Sequence, residues 1–126
     1  MNLYENLVGN SHELSPDYLT AKYENLLIDT EYIELGFKVS RDTFIFTTKR
    51  LIVIEKSLFS RNTYYESISY SKIIRLAIKT TPVFSLYNEL IVWFSNRQNA
   101  FFRKKITKNI DIYAIKRYLI TKIEQL

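Results

Sequence analysis

Residues 36–57 read GFKVSRDTFIFTTKRLIVIEKS, the densest run of strand-forming residues in the chain. β-Branched and aromatic side chains at this density suit a pleated, half-buried surface. Two apolar strands meet here, one ending at Thr47-Thr48 and the next opening at Lys49-Arg50. In the second of them Leu51 and Val53 point one way and Ile52 and Ile54 the other, because side chains alternate across a strand. A strand apolar on both faces must be covered on both, so the fold needs a layer beyond the sheet's own core. Leu90, Val92 and Phe94 against Ile91 and Trp93 pose the same demand a second time.

The flanking elements follow from period and punctuation. Leu3 to Val8 reads as a short helix ended by Gly9, which takes the left-handed C′ conformation without penalty. Ser15 at the N-cap, Pro16 at N1 and Asp17 in the first turn open a second helix. Leu14 and Leu19 stand at staple spacing, and Leu19, Tyr23, Leu26 and Leu27 share a face, which predicts a helix over 16–28. From Glu31 the period falls to 2, with Ile33, Leu35, Phe37 and Val39 on one face. Further strands are predicted over 43–47, 50–55, 63–70, 73–80, 87–95 and 100–106, with turns at Arg41-Asp42, Thr48-Lys49 and Ser71-Lys72. Pro82 breaks the strand before it, and Asn96 to Asn99 reads as a hairpin loop. The chain closes on a helix with Asn109 at its N-cap and an apolar stripe of Ile112, Ile115, Leu119, Ile123 and Leu126.

At 126 residues the chain suits one domain. The predicted class is α+β: an N-terminal helical segment over 1–30, a seven-stranded antiparallel bent sheet or partly open barrel over 31–107, and a capping helix over 109–126. With no Cys there is no disulfide framework and no Cys-based metal site. His12 is the only His and falls in a predicted loop, and there is neither a Gly-rich phosphate cradle nor a His pair. Arg41-Asp42 reads as a turn with Asp42 as its cap. The expectation is a non-enzyme without metal or cofactor. No apolar run approaches the length of a membrane span, and MNLYENLVGNSHE has neither a basic nor a long apolar region of the secretory kind, so a cytoplasmic location is expected.

Charge is divided along the chain. Residues 1–36 hold seven acids and one base, a balance of −6, and the other ninety residues hold seventeen bases and six acids, a balance of +11. Opposite charge of this kind is matched either within a subunit or between neighbouring subunits, and it weakens a nucleic-acid reading.

Five segments in order, Gly36 to Asp42, Phe44 to Ile52, Ile68 to Ile73, Glu89 to Trp93 and Asp111 to Tyr113, resemble the bacterial pleckstrin-homology-like family. The opening Gly9-Asn10 also fits the family pattern. The resemblance implies a seven-stranded barrel with a C-terminal helix, and ring-shaped homo-oligomers, typically pentamers. The chain departs from the pattern over Lys56 to Asn62, usually Gly-containing, and over Lys79 to Tyr87. In the latter Lys79 stands where Glu is usual, and Ser85 and Tyr87 where Asp is usual.

Two binding surfaces are expected. Leu51, Ile52, Val53, Ile54, Ile91 and Trp93 carry more apolar surface than one C-terminal helix covers, which marks them as an interface for a second copy of the chain. The N-terminal helix is the competing cover, and an unknown protein partner is a further possibility. The alternative function uses Arg97, Arg103, Lys104 and Lys105, with Phe101 and Phe102 beside them, as a patch for anionic lipid or nucleic acid.

Overall fold

The computed structural model describes residues 11–95 and 101–125. The predicted first helix over Leu3 to Val8 and the Asn96 to Asn99 loop lie outside them. The chain groups into two compact units, Met1–Ser69 and Tyr70–Leu126.

The first unit is an antiparallel five-stranded sheet in sequence order: β1 (Ser11–Glu13), β2 (Ile33–Val39), β3 (Asp42–Thr47), β4 (Arg50–Lys56) and β5 (Thr63–Ser69). β1 has no apolar alternation to announce it and forms through backbone pairing, Ser11 opposite Val39 and Glu13 opposite Phe37. His12 therefore lies in a strand, opposite Lys38, and not in the predicted loop.

Between β1 and β2 runs α1 (Pro16–Tyr23), whose N-cap Ser15 accepts from the Tyr18 N–H at 3.1 Å. The predicted helix to residue 28 is shorter: after Tyr23 it tightens into a 3₁₀ turn, Glu24–Leu26. Fully buried Leu19 packs with Ile33, Ile45, Ile52 and Ile54, and Leu14, Tyr23, Leu26 and Leu27 close the margin. One face of β4 is thus covered by α1. Its other face carries Leu51 and Val53 beside Phe44 and Phe46 in register, and Phe37 stacks on Phe44 and Phe46 at 5.2 and 5.7 Å. Gly36 lies under Leu19, where a Cβ would fall 2.1 Å from Leu19 Cδ1.

Two residues have left-handed backbone, Ser40 (φ 56°) in the turn between β2 and β3, and Thr30 (φ 66°) before Glu31. For a β-branched residue this conformation is strained. Thr30→Gly is expected to raise stability by about 0.5–1 kcal/mol, read as a higher urea midpoint; a lower midpoint would show that Thr30 is not strained there.

The second unit holds β6 (Ile73–Lys79), β7 (Tyr87–Phe94) and β8 (Phe101–Thr107), antiparallel in that order, followed by α2 (Ile112–Glu124). The strands therefore form two sheets and not one closed barrel. A 3₁₀ turn, Tyr70–Lys72, separates β5 from β6, with the Ser95 N–H donating to the Lys72 carbonyl at 2.8 Å. The α2 N-cap is Asp111, not Asn109, because Asp111 Oδ1 accepts from the N–H groups of Tyr113 and Ala114 at 3.0 and 3.2 Å. Ile112, Ile115 and Leu119 are buried, and α2 packs against β6 and the 3₁₀ turn.

Candidate functional site

Two groups of polar side chains stand apart from the cores. The first is built on Glu31, 5% exposed, at the mouth of β2. Its Oε2 accepts from Arg50 Nε at 2.9 Å and from the Thr47 hydroxyl at 2.5 Å, and its Oε1 accepts from Arg50 Nη2 at 3.0 Å and the Ile28 N–H at 3.1 Å. Arg50 donates in addition to the Leu26 carbonyl and to Ser67 Oγ. The Thr47 hydroxyl also accepts the N–H groups of Lys49 and Arg50, each at 3.0 Å, and so closes the turn between β3 and β4. Burial pushes the Glu31 carboxyl up, but the bonds from Arg50, Thr47 and Ile28 outweigh it and hold the pKa at about 2. A carboxylate held so low stays ionised and engaged, which suits a fastener and not a proton carrier. Sequence periodicity places Glu31 only at the start of a strand; its partner lies nineteen residues on.

The second group lies on the three-stranded sheet. Register sets Lys79 opposite Glu89 opposite Lys105, Ala77 opposite Ile91 opposite Arg103, and Arg75 opposite Trp93. Residues two apart on a strand share a face, so Arg75, Lys79, Arg103 and Lys105 lie on the face that carries Trp93, Arg75 opposite Trp93 and Lys79 and Lys105 flanking Glu89. The Arg75 guanidinium lies 4.4 Å from the Trp93 ring centroid, a cation–π contact. Arg103 Nη1 stands 3.5 Å from Glu89 Oε2, a buried oxygen with no hydrogen bond. The arrangement offers fixed positive charge beside an aromatic surface, which can hold an anion and has no group placed for bond chemistry. Among the described residues no cluster of His, Asp and Glu is placed to hold a metal ion.

The structure divides the predicted basic patch. Arg103 and Lys105 share the face just described; Lys104, opposite Leu90, points to the other side, because strand neighbours alternate. Arg97 lies outside the described residues. Arg75 and Lys79, which the sequence reading did not join to the patch, are brought there by cross-strand register, a quantity that sequence spacing does not carry.

The predicted apolar interface is placed differently. Leu51, Ile52, Val53 and Ile54 are 1%, 2%, 3% and 1% exposed within a single chain, and Ile91 is 6% exposed. Side chains so enclosed present almost no area to a second chain, and α1 is the cover for Ile52 and Ile54. Trp93 is half-buried under Arg75. Among the described residues no helix is long and apolar enough to cross a membrane.

Comparison with known proteins gives consistent results. The family model described as the bacterial PH domain matches residues 2–123. The chain is 32% identical over 120 residues to Uncharacterized protein YjqA of Bacillus subtilis strain 168, covering 94% of this chain and 96% of that protein. It is similar in structure to a pleckstrin-homology domain protein from Shewanella loihica PV-4, with a TM-score of 0.80 and 29% identity over 91% of this chain and 98% of the other. A pleckstrin homology domain from Shewanella amazonensis SB2B gives 0.74 and 30%, covering 86% and 98%.

Proposed function

The chain belongs to the bacterial PH domain family, and on that premise we propose that it is a non-enzymatic binding module that assembles head to tail with copies of itself into a ring. The PH fold is a generic binding-module fold. One observation supports the assembly: the two structural units carry net charges of opposite sign. The Met1–Ser69 unit holds seven bases and ten acids, and the Tyr70–Leu126 unit eleven bases and three acids, balances of −3 and +8. With the apolar interiors already enclosed, contact between copies falls to these oppositely charged surfaces, and a head-to-tail contact that closes on itself makes a ring. Light scattering after size exclusion is expected to give about five subunits at low salt and a smaller mass as salt screens the contact. A monomer at low salt overturns the reading.

A second reading is favoured by the Arg75–Trp93 pair and the three further bases on its face: a peripheral module that binds an anionic lipid surface or a nucleic acid there. The family's fold alone does not choose between these functions.

A further inference from the structure

The loop between β6 and β7 turns its hydrogen bonding inward and its apolar side chains outward. The Thr81 N–H donates to Asn88 Oδ1 at 3.2 Å, the Thr81 hydroxyl to the Tyr87 carbonyl, and the Ser85 N–H to the Pro82 carbonyl at 2.9 Å. Lys108 fastens the base of the loop: its N–H donates to the Leu86 carbonyl at 3.2 Å, and its ammonium to the carbonyls of Thr81 and Pro82 at 3.1 and 2.7 Å. On this braced frame Val83 is 99% exposed, Phe84 88% and Leu86 59%. Holding three large apolar side chains in water costs free energy that nothing among the described residues offsets, and a cluster of this kind marks a surface that leaves water on contact.

The surrounding charge identifies the second phase. Lys79 ends β6 and shares its row, through Glu89, with Lys105, two β7–β8 rows from the loop; Lys108 stands at the loop's base, and the whole unit has a balance of +8. An apolar tip ringed by lysines is complementary to a bilayer interface, with acyl chains below and anionic headgroups above. A nucleic acid stacks its bases on rings that lie along a sheet, and Val83 and Leu86 offer it nothing.

We propose that the β6–β7 loop is a membrane-docking element, in which Val83, Phe84 and Leu86 enter the interface of an anionic bilayer while Lys79, Lys105 and Lys108 meet its headgroups. This rests on the anionic-ligand reading of the basic face and deepens it, choosing lipid over nucleic acid and adding the apolar loop.

The probe is co-sedimentation at low salt with phosphatidylcholine vesicles, with and without phosphatidylglycerol. The parent binds only the anionic vesicles, and Val83→Ser/Phe84→Ser weakens that binding by at least about tenfold without changing the thermal midpoint. Because the chain has no Cys, Phe84→Cys accepts a single environment-sensitive fluorophore. Its emission shifts to the blue on anionic vesicles and not on a single-stranded oligonucleotide. Unchanged vesicle binding by the double variant, or no blue shift, overturns the proposal. If binding then depends on Arg75→Glu alone, the basic face survives and the loop does not. A fall in solution mass in the double variant assigns the loop to a contact between copies and also overturns it. Failure of the parent to bind anionic vesicles removes the lipid arm of both.

Discussion

Arg50→Ala is expected to cost about 3–5 kcal/mol of stability, because it leaves the enclosed Glu31 carboxylate without its counter-ion. Equilibrium urea unfolding measures it, and a loss under about 1 kcal/mol, the range of exposed ion pairs, would show that the pair is solvated. The same pair governs the acid response. Glu31 has a folded pKa of about 2 against an ordinary 4.5, so the folded chain binds fewer protons than the unfolded one in that interval. The contribution is fully present above pH 4.5 and is lost as pH falls towards 2. Glu31→Gln removes that dependence, and its stability curve between pH 4.5 and 2 should be flatter than the parent's. Parallel curves would exclude Glu31 as the titrating group.

Leu19→Ala is expected to cost about 2–5 kcal/mol, since the side chain is fully buried and its removal opens a cavity beneath α1. Gly36→Ala strikes the same contact from the other side. Its methyl would fall 2.1 Å from Leu19 Cδ1, and as Leu19 is packed among Ile33, Ile45, Ile52 and Ile54 it has little room to turn away. That overpacking costs about 1–3 kcal/mol. The double variant lets the new methyl occupy part of the vacated space, so its cost falls below the sum of the two by about 0.5–3 kcal/mol. Strict additivity would show that the two side chains do not meet.

The elements that could be read from sequence were those with a period or a bounded apolar run. β2 shows the period of two, β3, β4 and β7 read as short apolar runs bounded by turn residues, and Leu51 to Ile54, apolar on both faces, demand cover on both. Spacing does not say what supplies that cover, and so does not distinguish a second copy from α1, which reaches Ile52 and Ile54. β1 is three residues of Ser, His and Glu, held by pairing to β2 and invisible to hydropathy. The end of the ladder at β5 depends on a 3₁₀ turn, which Ser71-Lys72 announced only as a bend. At the candidate site, Arg103, Lys104 and Lys105 are legible as a cluster on one strand, and alternation places Lys104 on the other face from its two neighbours. Arg75 and Lys79 needed the register of β6 on β7. Glu31 was the largest omission: an acid near the start of a strand has no local mark of burial when its partner arrives on another strand.

Arg50 also bears on the order of events in folding. Its bonds reach Leu26, Glu31 and Ser67, which are 24, 19 and 17 residues away along the chain. The full set closes only when the turn after α1, the mouth of β2 and the edge strand β5 have all arrived, so the guanidinium is expected to be fully seated late, after the loops around it are closed. Interactions absent from the transition state act on the rate of escape and hardly on the rate of arrival. Arg50→Ala is therefore expected to speed unfolding and to leave the refolding rate almost unchanged, which the two limbs of a chevron plot would read separately.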